Sequence, residues 1–211
     1  MLAYPNNDKQ MYLDRVKFHR EHDELQQGVG WESNGVTRGC AVGCTLHEYN
    51  HAKYPALLGV PEVLARLQDQ IFESLPREDA LLFPEQFLAA IPDYQTKTDL
   101  SLVWPKLAVW LLTDPDHGVI RFVQDTKFAQ QKIAIENVAK LWQRVIDGGV
   151  VSRDEWRAAR DAASYAARAA SYAASYAARA ARDAASYAAR AARIVFWKAI
   201  RDKLLNLLET A

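Results

Sequence analysis

Apolar side chains recur at spacings of three and four residues through the first 150 positions, and no segment alternates convincingly with a period of two. Such spacing places the apolar residues on one face of an α-helix. Prolines and glycines divide this part of the chain into short helices. The sequence therefore predicts an all-α fold, with helices over about residues 8–27, 45–54, 61–75, 84–91, 105–113 and 125–146 and a glycine-rich loop at 28–44.

The last third of the chain follows a different pattern, an alanine-rich repeat of 11 residues. Residues 158–168, AARDAASYAAR, recur letter for letter at 180–190. Eleven residues make three helical turns of about 3.67 residues each, so every position keeps its direction around the helix axis. All eight prolines and all nine glycines lie before residue 150. We therefore predict a compact multi-helix part at residues 1–150 and a long alanine-rich helix at residues 151–211.

Both ends of this long helix carry sequence signals. Ser152 and Glu155 have the capping-box spacing that begins a helix. Apolar residues at 194–208 line one face of its last turns, so we expect this end to dock on a hydrophobic core.

The two halves of the repeat surface differ in chemistry. Alanines fill one half, and small side chains let another helix approach closely, within the chain or across a homodimer. The other half offers rings and guanidinium groups that hold phosphates and stack bases. Its candidate ligand-binding residues are Tyr165, Arg168, Tyr176 and Arg179. A structural or ice-binding role stays open, because alanine-rich 11-residue repeats resemble the helical antifreeze proteins of fish, which carry Thr where this chain has Tyr, Ser and Arg.

Both cysteines and four of the five histidines fall between residues 19 and 51. Thiolates and imidazoles are zinc ligands, and a loop can bring four of them around one ion. The candidate metal ligands are Cys40, Cys44, His47 and His51. The alternative is that the cysteines are buried as small apolar residues and the histidines are satisfied by hydrogen bonds.

Residues 47–51, HEYNH, match the zinc-protease signature H-E-x-x-H. In that signature the two histidines bind zinc and the glutamate activates water, which makes Glu48 a candidate catalytic residue. Thr45 and Glu48 also have capping-box spacing, which explains the glutamate without catalysis. A zinc-dependent metallohydrolase is therefore an alternative, while the incomplete set of catalytic groups favours a protein that is not an enzyme.

The loop before this motif, GVGWESNGVTRGCAVG, contains the parts of an anion site. Glycines let backbone amides approach a ligand, and the helix after the loop presents its positive end. Arg38 supplies a charge and Trp31 a stacking surface. We therefore expect a small phosphate-bearing, nucleotide-like ligand to bind here.

The run GCAVGCTLHEYNHAKYPALLGVPEVLARLQDQIFESLP, with FPEQFLAAIP after it and the alanine-rich tail, resembles an uncharacterised family of bacterial and phage proteins. The resemblance covers about residues 17–110 and, loosely, the tail. It implies a bacterial or phage origin and supplies neither an activity nor a catalytic residue. Given that origin, we expect a non-enzymatic protein that sequesters a small phosphate-bearing ligand, or occupies a partner protein, and so antagonises a host defence.

The composition of the chain bears on where in the cell the protein is found. No stretch of about 20 apolar residues is free of charge, so we expect no membrane span. The N-terminus lacks a basic region followed by an apolar one, and two cysteines do not make a disulfide framework. We therefore expect the cytoplasm of a bacterium or of a phage-infected host. The net charge is zero, but acidic residues exceed basic ones before residue 152 and basic ones exceed acidic ones after it.

Overall fold

In a computed structural model of the chain, residues 2–162 and 185–211 are described, apart from the side chains of Lys127 and residues 185–190. Helices dominate these residues, so the predicted all-α fold is confirmed. The α-helices are α1 Lys9–Glu21, α2 Ala41–Leu46, α3 Tyr54–Leu58, α4 Glu62–Ser74, α5 Arg77–Ala90, α6 Val103–Thr113, α7 Ala129–Ile146, α8 at residues 153–162 and α9 Ala185–Glu209. Short 3-10 helices are His51–Lys53, Tyr94–Thr96, Leu100–Leu102, Val119–Val123 and Thr126–Phe128.

The chain also contains a small β-hairpin inside the predicted glycine-rich loop. Strands β1 Trp31–Glu32 and β2 Arg38–Gly39 pair antiparallel. With two residues in each strand, the hairpin is too short to be stable alone, so it depends on the helices around it. No helix among the described residues is both long and apolar enough to cross a membrane.

The described chain forms two units, Met1–Trp104 with Ile194–Ala211, and Pro105–Arg193. This division differs from the predicted boundary at residue 150. The last turns of α9 belong to the first unit because their apolar face, with Ile200 and Leu204, is buried there. The expected docking of the chain's end is thus confirmed.

The core of the first unit lies among α1, α2, α4 and α5, which pack against one another. On α4 the buried positions recur at spacings of three and four, which is the pattern that predicted this helix. Each large apolar side chain buried in this way stabilises the fold by about 1.5–3 kcal/mol. The largest fully buried side chains include Tyr4, Tyr54, Phe72, Phe83, Phe87, Leu64 and Ile71.

Helix α5 differs from its prediction at its start. The sequence placed Pro84 at the first turn, whereas the helix begins at Arg77 and contains Pro84 in its interior. A proline inside a helix removes one hydrogen bond and costs about 3 kcal/mol. Here Pro84 is buried with Phe83 and Phe87, so packing in the core offsets that cost.

In the second unit, α7 and α8 meet through their tryptophans. The ring centroids of Trp142 and Trp156 lie 4.5 Å apart. At the start of α8 the predicted capping box is present, because the Glu155 amide donates to the Ser152 hydroxyl at 3.2 Å and the Ser152 amide donates to the Glu155 carboxylate at 2.8 Å. The Ser152 hydrogen bonds, with the Arg144 guanidinium, lower the pKa of Glu155 to about 2.

Candidate functional site

The end of α1, the segment after it and the hairpin meet at the start of α2. The Gly39 amide donates to the Glu24 carbonyl at 2.9 Å, and the Gln26 amide donates to the Gly39 carbonyl at 2.9 Å. Within the hairpin, Trp31 stands opposite Gly39. These contacts bring the end of α1, the segment after it and the hairpin together around the start of α2.

Two glycines allow this region to be so compact. A Cβ at Gly43 would stand 1.9 Å from the carbonyl oxygen of Gly30, and one at Gly39 would stand 2.8 Å from the Trp31 ring. Both distances are shorter than atomic contact permits, so only glycine fits at either position. These two glycines therefore let the backbone at Gly30 and the Trp31 ring pack closely against α2. The sequence suggested a different role for them, which was to let backbone amides approach an anion.

A buried histidine lies at the centre of the region. His19 on α1 is 4% exposed. Its Nδ1 lies 2.5 Å from a carboxylate oxygen of Glu24, and its Nε2 lies 2.9 Å from Nε2 of His47. A carboxylate only accepts, so His19 donates from Nδ1. When both rings are neutral, His47 then donates from Nε2 and keeps its Nδ1 as an acceptor.

His47 connects this buried pair to solvent. It follows the last residue of α2 and has φ 58° and ψ 27°, in the left-handed region. Its ring stacks on Trp31, with centroids 5.1 Å apart and planes within 16° of parallel. Burial and the positive charge of Arg15 lower the pKa of His47. Left-handed backbone costs a residue other than glycine about 1–3 kcal/mol, and such strain clusters at functional sites.

Arg15 is the cation of this region. One nitrogen of its guanidinium group, Nη1, donates to the Thr45 carbonyl at 2.8 Å, which anchors it at the end of α2. The other terminal nitrogen has a long contact of 3.8 Å with the Met11 sulfur, and the guanidinium carbon lies 5.5 Å from the centre of the Tyr12 ring. Among the ion pairs of the described residues, none involves Arg15. We name the group of Arg15, His19, Glu24, Trp31 and His47 the imidazole cluster.

A second cluster is centred on Asp69 of α4. One of its carboxylate oxygens, Oδ2, accepts from the Tyr49 hydroxyl at 2.8 Å and lies 3.1 Å from Nε2 of His51. The hydrogen bond to Asp69 raises the pKa of Tyr49 to about 12. Burial, helped by the nearby Asp69 charge, raises the pKa of the Cys40 thiol. Asp69 thus holds the segment after α2 against α4.

The structure separates the four predicted metal ligands. His47 belongs to the imidazole cluster, while Cys40 and His51 lie around Asp69. Cys44 is buried, and its thiol donates to the Gly39 carbonyl at 3.3 Å. Burial raises the pKa of Cys44 to about 12. In the described part of the chain, no three His, Cys, Asp or Glu side chains form a group that could hold a metal ion.

The HEYNH segment does not have the geometry that the protease signature requires. The expected helix beginning at Thr45 is wrong, because α2 ends at Leu46 and His47 turns the chain. His47 and His51 therefore do not share a helix face. Glu48 forms an ion pair with Lys53, and the Thr45 hydroxyl donates to the Ala41 carbonyl instead of capping a helix.

Of the two residues expected to bind the ligand in the loop, one lies in the imidazole cluster. Trp31 stacks there on His47, whereas Arg38 forms an ion pair with Glu32 across the hairpin at 3.1 Å. The other candidates, Tyr165, Arg168, Tyr176 and Arg179, lie outside the described residues.

Three members of the imidazole cluster were missed from the sequence: Arg15, His19 and Glu24. One signal was present, because His19 follows Tyr12 and Val16 at helical spacing on the buried face of α1. A histidine on an apolar face needs a polar partner inside the protein. Acidic residues follow closely in the sequence, and the structure shows that Glu24 is the partner.

No protein-family model, no curated protein and no solved structure matches this chain. The geometry of the imidazole cluster is therefore the basis for a functional proposal.

Proposed function

We propose that this chain is a non-enzymatic binding protein whose first unit holds a small phosphate-bearing ligand at the imidazole cluster. The proposal rests on the pair formed by His47 and Arg15. The His47 ring is exposed and is held in orientation by Trp31 and His19. Arg15 has no carboxylate partner among the described residues. The two residues offer a ring and a positive charge side by side. A nucleotide-like ligand presents the matching pair, a flat base and a phosphate.

The charge is available because of how Arg15 is held. Nη1 is engaged by the Thr45 carbonyl, which fixes the guanidinium plane. The guanidinium carbon lies 5.5 Å from the centre of the Tyr12 ring. The second terminal nitrogen has the long contact with the Met11 sulfur and, among the described residues, no hydrogen bond to an oxygen, so its N–H groups can donate to a ligand. Guanidinium groups bind phosphate oxygens through strong, charge-assisted hydrogen bonds. A phosphate at this position would complete the hydrogen bonding of Arg15.

The ring surface comes from His47. One face of its imidazole is covered by Trp31, and Nε2 is engaged by His19. The residue is nevertheless exposed, and we infer that the ring face opposite Trp31 is the one open to a ligand. A base stacked on that face would extend the Trp31–His47 stack, an interaction worth about 1–3 kcal/mol per base. The buried His19–Glu24 pair keeps the ring in place for it.

Several features favour binding over covalent chemistry. The thiols of Cys40 and Cys44 are buried and their pKa values are raised, so neither is a thiolate nucleophile at neutral pH. Glu48, the residue expected to activate water, is paired with Lys53. Binding without turnover lowers the free concentration of the ligand. That is how a bacterial or phage protein of this kind would antagonise a host defence.

Calorimetric titration tests the proposal. Wild-type protein is titrated with inorganic phosphate and with purine and pyrimidine mononucleotides, in phosphate-free buffer containing a chelator. We expect a mononucleotide to bind more tightly than phosphate, because its base adds stacking. Arg15→Gln should weaken binding about ten- to 100-fold, the value of a hydrogen bond to a charged group.

Two further arginine variants serve as controls. Arg66→Gln removes an exposed arginine that pairs with Glu62 and should leave affinity unchanged. Arg38→Gln tests the hairpin arginine that the sequence indicated. If Arg38→Gln weakens binding while Arg15→Gln does not, or if no phosphate compound binds the wild type, the proposal is wrong. Circular dichroism of each variant checks that the fold is retained.

A further inference from the structure

We propose that the ligand of the imidazole cluster is a dinucleotide, whose linking phosphodiester binds Arg15 and whose two bases stack on His47 and on Phe18. This inference rests on the proposed function, which requires one base and one phosphate, and it adds a second base. It thereby names the chemical class of the ligand as two nucleobases joined through one phosphate.

Phe18 belongs to an exposed face of α1 that lies next to the imidazole cluster. Met11, Arg15, Phe18 and His22 follow one another at spacings of four, three and four residues, so they share this face. Phe18 is 51% exposed and Met11 is 43% exposed. Apolar side chains grouped on a surface and bordered by polar ones mark sites where other molecules bind.

The Phe18 ring is held by a second ring, as the His47 ring is. It stacks on His22, with centroids 3.9 Å apart and planes within 26° of parallel. A carbonyl only accepts, so His22 donates from Nδ1 to the Phe18 carbonyl, at 2.8 Å, and its ring is fixed. Because His22 covers one face of Phe18, the opposite face is the one available to a base. A ring that is already held loses little conformational freedom on binding.

The two stacked pairs, Trp31–His47 and Phe18–His22, both adjoin the buried ring of His19. The centroid of the Phe18 ring lies 5.8 Å from that of His19, and the centroid of the His47 ring lies 5.0 Å from it.

Arg15 connects the two platforms. It lies one turn of α1 before His19, and its guanidinium group is anchored at the Thr45 carbonyl, close to His47 in the chain. A phosphodiester at Arg15 is therefore near both Phe18 and His47. Single-stranded nucleotides bind proteins in this way, with successive bases stacked on successive aromatic side chains.

The other basic side chains of α1 do not continue a path for a phosphate backbone. Arg20 forms an ion pair with Glu85 at 3.0 Å. Lys17 stands two residues after Arg15 and so faces another side of the helix. A long nucleic-acid strand needs several basic side chains along its backbone. One anchored arginine suits a ligand with one linking phosphate.

Negative charge beyond Phe18 also favours a short ligand. Glu21 and Asp23 flank His22 and are exposed. Like charges repel, so a further phosphate on this side would be disfavoured. Acidic residues also exceed basic ones in the chain before residue 152.

The experiment is a calorimetric titration of the full chain with two ligands that each carry one phosphodiester. The first consists of two adenosines joined through the phosphate, and the second is the methyl ester of adenosine monophosphate, which has one base and the same charge. We expect the dinucleotide to bind about five- to 150-fold more tightly, the value of one stacked base.

Substitutions at Phe18 separate the second base from the first. Phe18→Leu keeps an apolar side chain but removes the ring, so it should abolish this difference and leave affinity for the methyl ester unchanged. Phe18→Tyr keeps a ring and should preserve the difference. The matched control is Phe122→Leu in the second unit, because Phe122 is 66% exposed and the guanidinium carbon of Arg121 lies 4.6 Å from its ring centre. It should change neither affinity.

An oligoadenylate of many nucleotides separates a dinucleotide ligand from a nucleic-acid strand. It should bind at most about tenfold more tightly than the dinucleotide, the advantage of its overlapping positions, and with a shallow salt dependence because one phosphate is neutralised. Much tighter binding with a steep salt dependence would overturn the proposal, since the partner would then be a strand.

The proposal is also overturned if the dinucleotide binds no more tightly than the methyl ester, or if Phe18→Leu leaves the difference intact. Adenosine monophosphate distinguishes this failure from failure of the proposed function. If the wild type binds adenosine monophosphate but gains nothing from the second base, only the present inference is wrong. If it binds no phosphate compound, both are wrong.

Discussion

The Nε2 atoms of His19 and His47 lie 2.9 Å apart, although 28 positions separate the two residues in the sequence. His19 is buried on α1, and His47 is exposed at the end of α2. Their contact therefore connects a buried carboxylate–histidine pair with the protein surface. It also ties α1 to the end of α2, so a change at either histidine is expected to affect the other.

The backbone of His47 gives a first prediction. At φ 58°, asparagine and glycine are tolerated, whereas a β-branched residue is strongly disfavoured. We expect His47→Val to lower the free energy of unfolding by about 1–3 kcal/mol more than His47→Asn does. Urea denaturation of both variants measures the difference. Equal losses in the two variants would mean that His47 is not held in the left-handed region.

The contact between Gly43 and Gly30 gives a second prediction. Gly43→Ala places a methyl group 1.9 Å from the Gly30 carbonyl oxygen. Because β1 then has to move, we expect a loss of about 1–3 kcal/mol in unfolding free energy, as for other overpacked sites. We also expect a change in tryptophan fluorescence from Trp31. Gly35→Ala adds a methyl group to the same hairpin where it meets nothing within 4 Å, so any loss there comes from the positive φ of Gly35 and not from a clash. Fluorescence that changes equally in both variants would contradict the packing argument.

Local pattern predicted much of the fold. Helix α4 was predicted because Leu64, Ile71 and other buried residues follow helical spacing on one face. The capping box of Ser152 and Glu155 was predicted from spacing alone. The start of α5 was not, because only burial in the core makes Pro84 acceptable inside a helix. Likewise, α2 ends at Leu46 because His47 adopts left-handed backbone, which a histidine does not signal in the sequence.

The candidate site was predicted only in part. His47 and Trp31 stand in a segment that is conspicuous for its glycines, cysteines and histidines. Arg15 and Glu24 come from α1 and the segment after it, and only tertiary packing brings them to His47. The charge of Arg38 was visible in the sequence, but its pairing with Glu32 depends on the register of the hairpin.

The burial of the cysteines gives a third prediction. Cys40 and Cys44 are each 1% exposed or less, and burial raises the pKa of both thiols. Only the thiolate reacts readily with disulfide reagents. We expect neither thiol to react with a disulfide reagent in folded protein at about pH 8, where a free cysteine is substantially ionised. Both should react after denaturation. Rapid reaction of one thiol in the folded protein would contradict the structure.

The docking of the last helix gives a fourth prediction. Asp79 on α5 lies 2.8 Å from the Lys198 nitrogen and 2.7 Å from Arg201. Lys198 first, and then Arg201, lower the pKa of Asp79 against the opposing effect of its burial. A carboxylate with a lowered pKa stabilises the fold above its unfolded pKa of about 3.9, and this contribution is lost as pH falls through the folded value.

Asp79→Asn should therefore cost about 1 kcal/mol of unfolding free energy at neutral pH, the upper range for a partly exposed ion pair. The difference in unfolding free energy between wild type and Asp79→Asn should stay constant down to about pH 5 and become smaller below about pH 4. Asp154→Asn removes the partner of Arg157 in an exposed pair and should cost almost nothing. A difference between wild type and Asp79→Asn that grows on acidification would contradict the assignment.

Nuclear magnetic resonance of the histidine ring nitrogens shows whether the ligand binds at His47. In the free protein we expect Nδ1 of His19 and Nε2 of His47 to carry protons. The protein is titrated with a purine mononucleotide in the presence of chelator. The chemical shifts of the His47 ring nitrogens should change, while those of His51, which is bound to Asp69, should not. If the chemical shifts of the His47 nitrogens do not change at saturation with the nucleotide, or if those of His51 change instead, the ligand does not bind at the imidazole cluster.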